Sequence, residues 1–153
     1  MAAQSWDGDA SIPSLMREAR SVYRNAAHRA LVEIGCDDIP RNGAFVLAGL
    51  DNRVKEPMFS SQSDVVASLK LSKQAASQLL DSLVLRGYLD RRSDPNDRRR
   101  MGLRLTDRGR RAAHAIRTAT EAIDTALAKQ ISADELHGLR VGLAAFREIR
   151  DQT

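Results

Sequence analysis

Cysteine is almost absent. Cys36 is the one thiol in 153 residues, which excludes an internal disulfide and a cysteine-cluster zinc site. Aromatic residues make up only 4%, so the core must come from small and aliphatic side chains. That suits packed helices better than a β-sandwich. With 4 prolines and 9 glycines the chain is neither a flexible linker nor a fibre. No apolar run approaches the length of a membrane span, so no membrane partner is expected. Met1 to Ser11 carries acids where a signal peptide has bases and lacks an apolar centre, which points to a cytoplasmic protein. A Gly-rich phosphate loop, a G-x-S-x-G nucleophile turn and a Cys/His pair are all missing. The three histidines, His28, His114 and His137, stand far apart with no i, i+4 pair. The expectation is therefore not an enzyme, with no catalytic residues, no metal and no cofactor.

What is present is a globular composition, 42% hydrophobic and 29% charged, in a length that suits one domain. The net charge of +4 is unevenly spread. Between Ser60 and Arg111 stand twelve basic and six acidic residues, so this segment is basic and the remainder mildly acidic in sum. Nine of the twelve bases fall between Arg91 and Arg111, and all nine are arginine. Such a local basic field is the footprint of a phosphate-binding surface; its plainer alternative is a solvated charged face.

Apolar residues recur with a 3.6-residue period from Ile12 to Ile34, which predicts a long helix capped by Ser11 and stopped by Gly35. A shorter helix is expected from near Arg41 to Leu50, followed by a polar break that Pro57 closes. Ser61 to Leu69 reads as a helix of about two turns, capped by Ser61 or Ser63, with Val65, Val66 and Leu69 inward. After a turn at Lys70-Leu71, Ser72 caps a helix that buries Ala75/Ala76, Leu79/Leu80 and Leu83/Val84 and closes at Gly87. Helix, short turn, helix is the helix-turn-helix arrangement. From Tyr88 to Leu105 the period changes to two, with Met101, Leu103 and Leu105 alternating against Arg100, Gly102 and Arg104. This predicts a hairpin whose tip is Ser93-Asp94-Pro95-Asn96-Asp97. Thr106 caps a helix of about 25 residues with the stripe Ala112/Ala113, Ile116, Ala119, Ile123 and Leu127. Ser132 and Glu135 form a capping box for a last helix lined by Leu136, Leu139, Leu143, Phe146 and Ile149.

The fold class is thus mainly α with a small β wing. A winged helix-turn-helix lobe (about 40–106) lies between N- and C-terminal helices (about 12–35 and 107–150) that form a helical dimerisation lobe, all in one domain, 1–153. The terminal helices carry more apolar surface than one chain's core requires, which suggests burial against a second subunit.

Two features carry chemistry. Ser72, Lys73, Gln74, Ser77 and Gln78 occupy the first two turns of the second helix of the helix-turn-helix, and helical spacing turns Lys73, Gln74, Ser77 and Gln78 away from the core. A recognition helix reads base edges in the major groove from these turns. Gln pairs bidentately with adenine and Lys with guanine, while Ser72 and the helix N-terminus suit a phosphate. The hairpin run Arg98, Arg99, Arg100 suits a minor groove or its flanking phosphates. Asp97 and Arg91 are assigned to holding the wing. An acid on a loop aimed at phosphates makes sense as an internal partner, its carboxylate accepting from Arg99 or another wing arginine.

The run from Leu85 to Arg92, and then from Asp94 to Gly109, resembles the MarR family of bacterial winged helix-turn-helix transcription regulators. That family's wing signature is D-x-R followed by a short strand ending L-T-x-x-G, which Asp97, Arg99, Leu105, Thr106 and Gly109 match. Ser72-Lys73-Gln74 also looks like the start of the family's recognition helix. The resemblance implies a homodimer that binds a pseudo-palindromic operator in double-stranded DNA, in many members as a repressor. It implies release by a small aromatic or phenolic ligand held between the lobes, with Tyr23 and His28 on the first helix as candidate pocket residues. Some members respond to thiol oxidation instead. Here Cys36 precedes Asp37-Asp38, whose charges disfavour a thiolate. The alternative function is an interaction module that keeps the winged-helix fold and no longer binds DNA.

Overall fold

The computed structural model describes residues 8–40, 42–51, 62–93 and 101–150. Helix α1 (Ile12–Glu33) opens at Ser11, whose Oγ accepts from the Ser14 N–H at 3.4 Å, with Pro13 in the first turn. One stripe of α1, Ala26, Ala27 and Leu31, is buried against the longest partner in the chain, α5 (Asp107–Ala128). The α1–α2 link ends in α2 (Gly43–Gly49). This helix starts two residues later than the sequence suggests. Its first residue lies under Ile39 and Pro40, where a side chain has no room: a Cβ on Gly43 would stand 2.7 Å from Ile39 Cγ2.

Helices α3 (Gln62–Leu69) and α4 (Lys73–Leu85) form the helix-turn-helix. Ser63 lies inside α3, so it is not the cap; Ser61 lies outside the described residues. Lys70 makes the turn with φ +50°. Ser72 caps α4, its Oγ accepting from the Ala75 N–H at 3.1 Å. A Ser cap of this kind contributes about 0.5–2 kcal/mol. The inward face is Ala76, Leu79, Leu80 and Leu83. Gly87 ends the helix at φ +73°, a left-handed conformation that a side chain disfavours.

Strands β1 (Leu89–Ser93) and β2 (Met101–Leu105) pair antiparallel in the register Leu89↔Leu105, Arg91↔Leu103 and Ser93↔Met101. Successive side chains alternate faces. Leu89, Leu103 and Leu105 are therefore buried together, while Asp90 and Arg104 stand opposite each other on the outer, exposed face. Thr106 caps α5, its Oγ1 accepting from the Gly109 N–H at 3.0 Å. Ser132 and Glu135 cap α6 (Ala133–Arg150) reciprocally: the Ser132 N–H donates to Glu135 Oε2 at 2.8 Å and the Glu135 N–H to Ser132 Oγ at 3.3 Å. The Ser132 N–H, then the Ser132 hydroxyl, which donates to the same carboxylate oxygen at 2.8 Å, hold the Glu135 carboxyl below its ordinary range.

The core lies where α1, α2, α4, the hairpin and α5 meet, and its fully buried side chains include Tyr88, Leu47, Leu80, Leu83 and Val65. Each such aliphatic contributes about 1.5–3 kcal/mol on burial. Helix α6 adds little to this core: every residue from His137 to Ile149 is exposed. Among the described residues, no helix is long and apolar enough to cross a membrane.

Candidate nucleic-acid interface

The outward surface of α4 is built by the same periodicity that buries its leucines. Lys73, Gln74 and Gln78 are exposed over the first two turns, as is the cap Ser72. Ser77 is half-buried, and its hydroxyl donates to Asp81 Oδ2 at 3.4 Å. The Ser72 oxygen is engaged as the cap acceptor, which leaves its hydroxyl proton free to donate. Four exposed hydrogen-bonding side chains, a hydroxyl, an ammonium and two amides, thus sit in the first two turns of α4, whose N-terminus carries the partial positive charge of the helix dipole.

The root of the wing is fastened to this helix. Arg91 Nη1 lies 2.7 Å from Asp81 Oδ1, so a β1 side chain grips α4 one turn beyond Ser77. The partner of Arg91 is thus Asp81 of α4. Asp97 and the arginines Arg98, Arg99 and Arg100 lie outside the described residues.

Where hairpin meets α5, Asp90, Arg104, Thr106, Asp107 and Arg110 line an open cleft of about 290 Å³. A second, of about 430 Å³, continues over Arg111 and His114. Within it Arg110 is tied down, donating to the Leu105 carbonyl at 2.8 Å and pairing with Asp107. Tyr23 and His28 line neither cleft. Five positions apart on α1, they stand roughly 140° from each other around the helix. Tyr23 donates its hydroxyl to Asp124 Oδ1 on α5 at 2.5 Å, and this bond, with burial, pushes its phenol up to about 12. His28 is exposed.

Sequence reasoning missed a polar node behind α4. Asp38, in the α1–α2 link, accepts from the Tyr88 hydroxyl and from Arg108 Nη2 at 3.0 Å. Arg86, the C-cap of α4, donates through Nη1 to the Asp38 carbonyl at 2.7 Å. Arg108 also donates to the Arg86 carbonyl at 2.7 Å and lies 4.4 Å from the centre of the Tyr88 ring. The hydrogen bond from Tyr88, then the charge of Arg108, holds the Asp38 carboxyl below its ordinary range, while burial, then the bond to Asp38, pushes the Tyr88 phenol up. Cys36 is buried beside this phenol and guanidinium. The Asp38 charge is thus committed to Tyr88 and Arg108 rather than left facing the thiol, as adjacency in sequence suggested.

A second tie, also unforeseen, joins α2 to α5. Buried Asp51 accepts from Arg117 Nη1 at 2.5 Å, and Arg117 Nη2 sits 2.9 Å from His114 Nδ1. Only the arginine in the L-T-x-x-G stretch and the acid after the α2 stripe hinted at these pairs.

A family model described as MarR family matches residues 38–100. A comparison with curated proteins finds no match. Among solved structures, the chain resembles Staphylococcus aureus MepR in complex with DNA, at 21% identity and a TM-score of 0.69, covering 92% of this chain and 98% of that one. It also resembles S. aureus MepR bound to ethidium bromide, at 20% identity and a TM-score of 0.58, covering 93% and 98%. Wild-type MarR from Escherichia coli, without ligand, matches at 20% identity and a TM-score of 0.61, covering 90% and 97%. The shared winged-helix fold is what these likenesses show.

Proposed function

Residues 38–100 match a family model described as MarR family, and on that ground we propose that the protein is a MarR-family, sequence-specific, DNA-binding transcription regulator. The observation that carries this reading is the exposed face of α4. Lys73, Gln74 and Gln78 present base-reading groups from the first two turns, on a helix whose buried face and Ser72 cap leave it one orientation. Gln74 and Gln78 suit adenine edges and Lys73 guanine or a phosphate. The wing arginines Arg98, Arg99 and Arg100, with Asp97 to order them, add contacts to the flanking backbone.

The protein acts in this reading as a homodimer. The exposed apolar side chains Leu139, Leu143, Phe146 and Ile149 on α6, and Ile12, Leu15, Met16 and Val22 on α1, form stripes that one chain leaves open to water. A second copy covers them, and two α4 helices then meet half-sites about one helical turn, roughly 34–36 Å, apart. The regulator is a repressor released by a small aromatic or phenolic ligand. A structure of similar fold holds ethidium, an aromatic cation; of the two α1 residues offered for such a ligand, Tyr23 faces Asp124 of α5 and exposed His28 stands on another side of the helix.

Gel-shift titration with the DNA upstream of its own gene, against random duplex at two salt concentrations, tests the reading. Operator preference at moderate salt is expected, with affinity falling steeply as salt rises. Equal affinity for both duplexes overturns it and favours an interaction module with the same fold. An aromatic-acid screen that moves neither the melting temperature nor operator affinity overturns the ligand response alone.

A further inference from the structure

The Asp38 node joins four segments that no single packing contact joins. Asp38 belongs to the link after α1, Arg86 to the end of α4, Tyr88 to the start of the wing and Arg108 to the first turn of α5. Helix α1 packs on α5, and α4 reaches these long helices through α2, which packs on both α4 and α5. At its C-terminal end α4 is joined to them by polar bonds as well, from Arg86 to the Asp38 carbonyl and from Arg108 to the Arg86 carbonyl, with the Asp38 carboxylate between the two arginines. Resting on the reading of the chain as a dimeric DNA-binding regulator, we propose that Asp38 is a positioning residue that fixes the separation of the two recognition helices, and hence which half-site spacing the dimer accepts.

Geometry gives the size of the effect. The 13 residues of α4 span about 20 Å, so a tilt of roughly 10° about the Arg86 end moves the first turn by about 3.5 Å. That is roughly the 3.4 Å rise of one base pair along a strand. Slack at the node thus converts into tolerance of one base pair in spacing. The base-reading groups sit at the other end of α4 and keep their own geometry. The carboxylate is needed because the guanidiniums of Arg86 and Arg108 both face it. With a neutral amide in its place the two cations face each other with no opposing charge between them, and the charge-assisted bonds lose about half their strength.

The test uses the full chain and an operator selected from random DNA. Affinity is measured for that operator, for versions with one base pair inserted or removed between half-sites, and for one with a single base changed within a half-site. In Asp38→Asn the preference for native spacing is expected to fall about fivefold, in keeping with a weakened charge-assisted network, while the penalty for the half-site base change stays as in wild type. Asp107→Asn removes the same charge from the exposed pair with Arg110 and is expected to keep the wild-type spacing preference. Arg86→Gln cuts the tie from α4 to Asp38, together with a bond to Ser82 inside α4, and is expected to repeat the loss; it decides the matter if Asp38→Asn does not fold. Folded variants with wild-type spacing preference overturn the proposal, as does an equal loss in Asp107→Asn or a parallel loss of base preference. A wild-type protein that prefers no duplex over random DNA overturns the DNA-binding reading itself, and this proposal with it.

Discussion

A Cβ placed on Gly109 would stand 2.1 Å from the carbonyl oxygen of Tyr88. That carbonyl accepts from the Thr106 N–H at 3.1 Å, and Thr106 Oγ1 reaches the Gly87 carbonyl at 2.5 Å. The first turn of α5 and the root of the wing are thus pressed backbone to backbone, and the glycine of the L-T-x-x-G stretch is there because nothing larger fits. Gly109→Ala should force the two apart at a cost of about 1–3 kcal/mol, lowering the melting temperature by several degrees. Thermal unfolding followed by circular dichroism checks this.

Asp81 and Arg91 test the wing's fastening. The pair is partly exposed, with side-chain exposures of 55% and 30%, so its loss should change folding by no more than about 0–1 kcal/mol. Asp81→Ala should nevertheless weaken operator binding by loosening the wing root, although it makes the surface more positive. Tighter binding would show that charge, not orientation, is what the pair supplies.

If Gln74 reads a base bidentately, as proposed, Gln74→Ala should reduce the preference for operator over random duplex by about 1–3 kcal/mol. Affinity for random duplex should hardly change. An equal loss on both duplexes would move Gln74 from base reading to backbone contact.

On the dimeric reading, Leu143→Asp should abolish association of two copies. Leu143 is 47% exposed in one chain, between Leu139 and Phe146, and a carboxylate there would have to be desolvated against an apolar partner. Sedimentation is expected to show monomer or aggregate. A dimer of normal stability would refute the α6 interface.

Acidification should act through Asp38. Its carboxyl sits below its ordinary range, so its contribution to stability is present above the unfolded-state value of about 3.9. That contribution is lost as pH falls through the lower folded-state value. The melting temperature of Asp38→Asn should therefore fall less than that of wild type on going from pH 5 to strongly acid solution. Parallel curves would contradict this.

Much of this architecture was legible because it is local. The Ser72, Thr106 and Ser132–Glu135 caps, the alternation of Leu103 and Leu105, and the closure at Gly87 all depend on neighbours within a turn or a strand. Asp38 was not legible: its bonds run to Tyr88 and Arg108, 50 and 70 residues on, and nothing near Asp37-Asp38 announces them. Arg91 falls on β1, as the change of period suggested, yet its partner Asp81 looked like one more surface acid of α4. The stripes of α6 were readable as apolar, and their standing apart from the core is what the fold adds.

The exposure of α6 ties folding to abundance. A helix of 18 residues with so exposed an apolar stripe draws much of its stability from whatever covers that stripe. On the dimeric reading that cover is another copy, and protomer stability then rises with protomer concentration by mass action. A cell that makes few copies would hold a larger share of them unpaired and open to proteolysis, while a small rise in synthesis would add both chains and lifetime. The response of such a regulator to its own dose is steeper than linear before any DNA is involved.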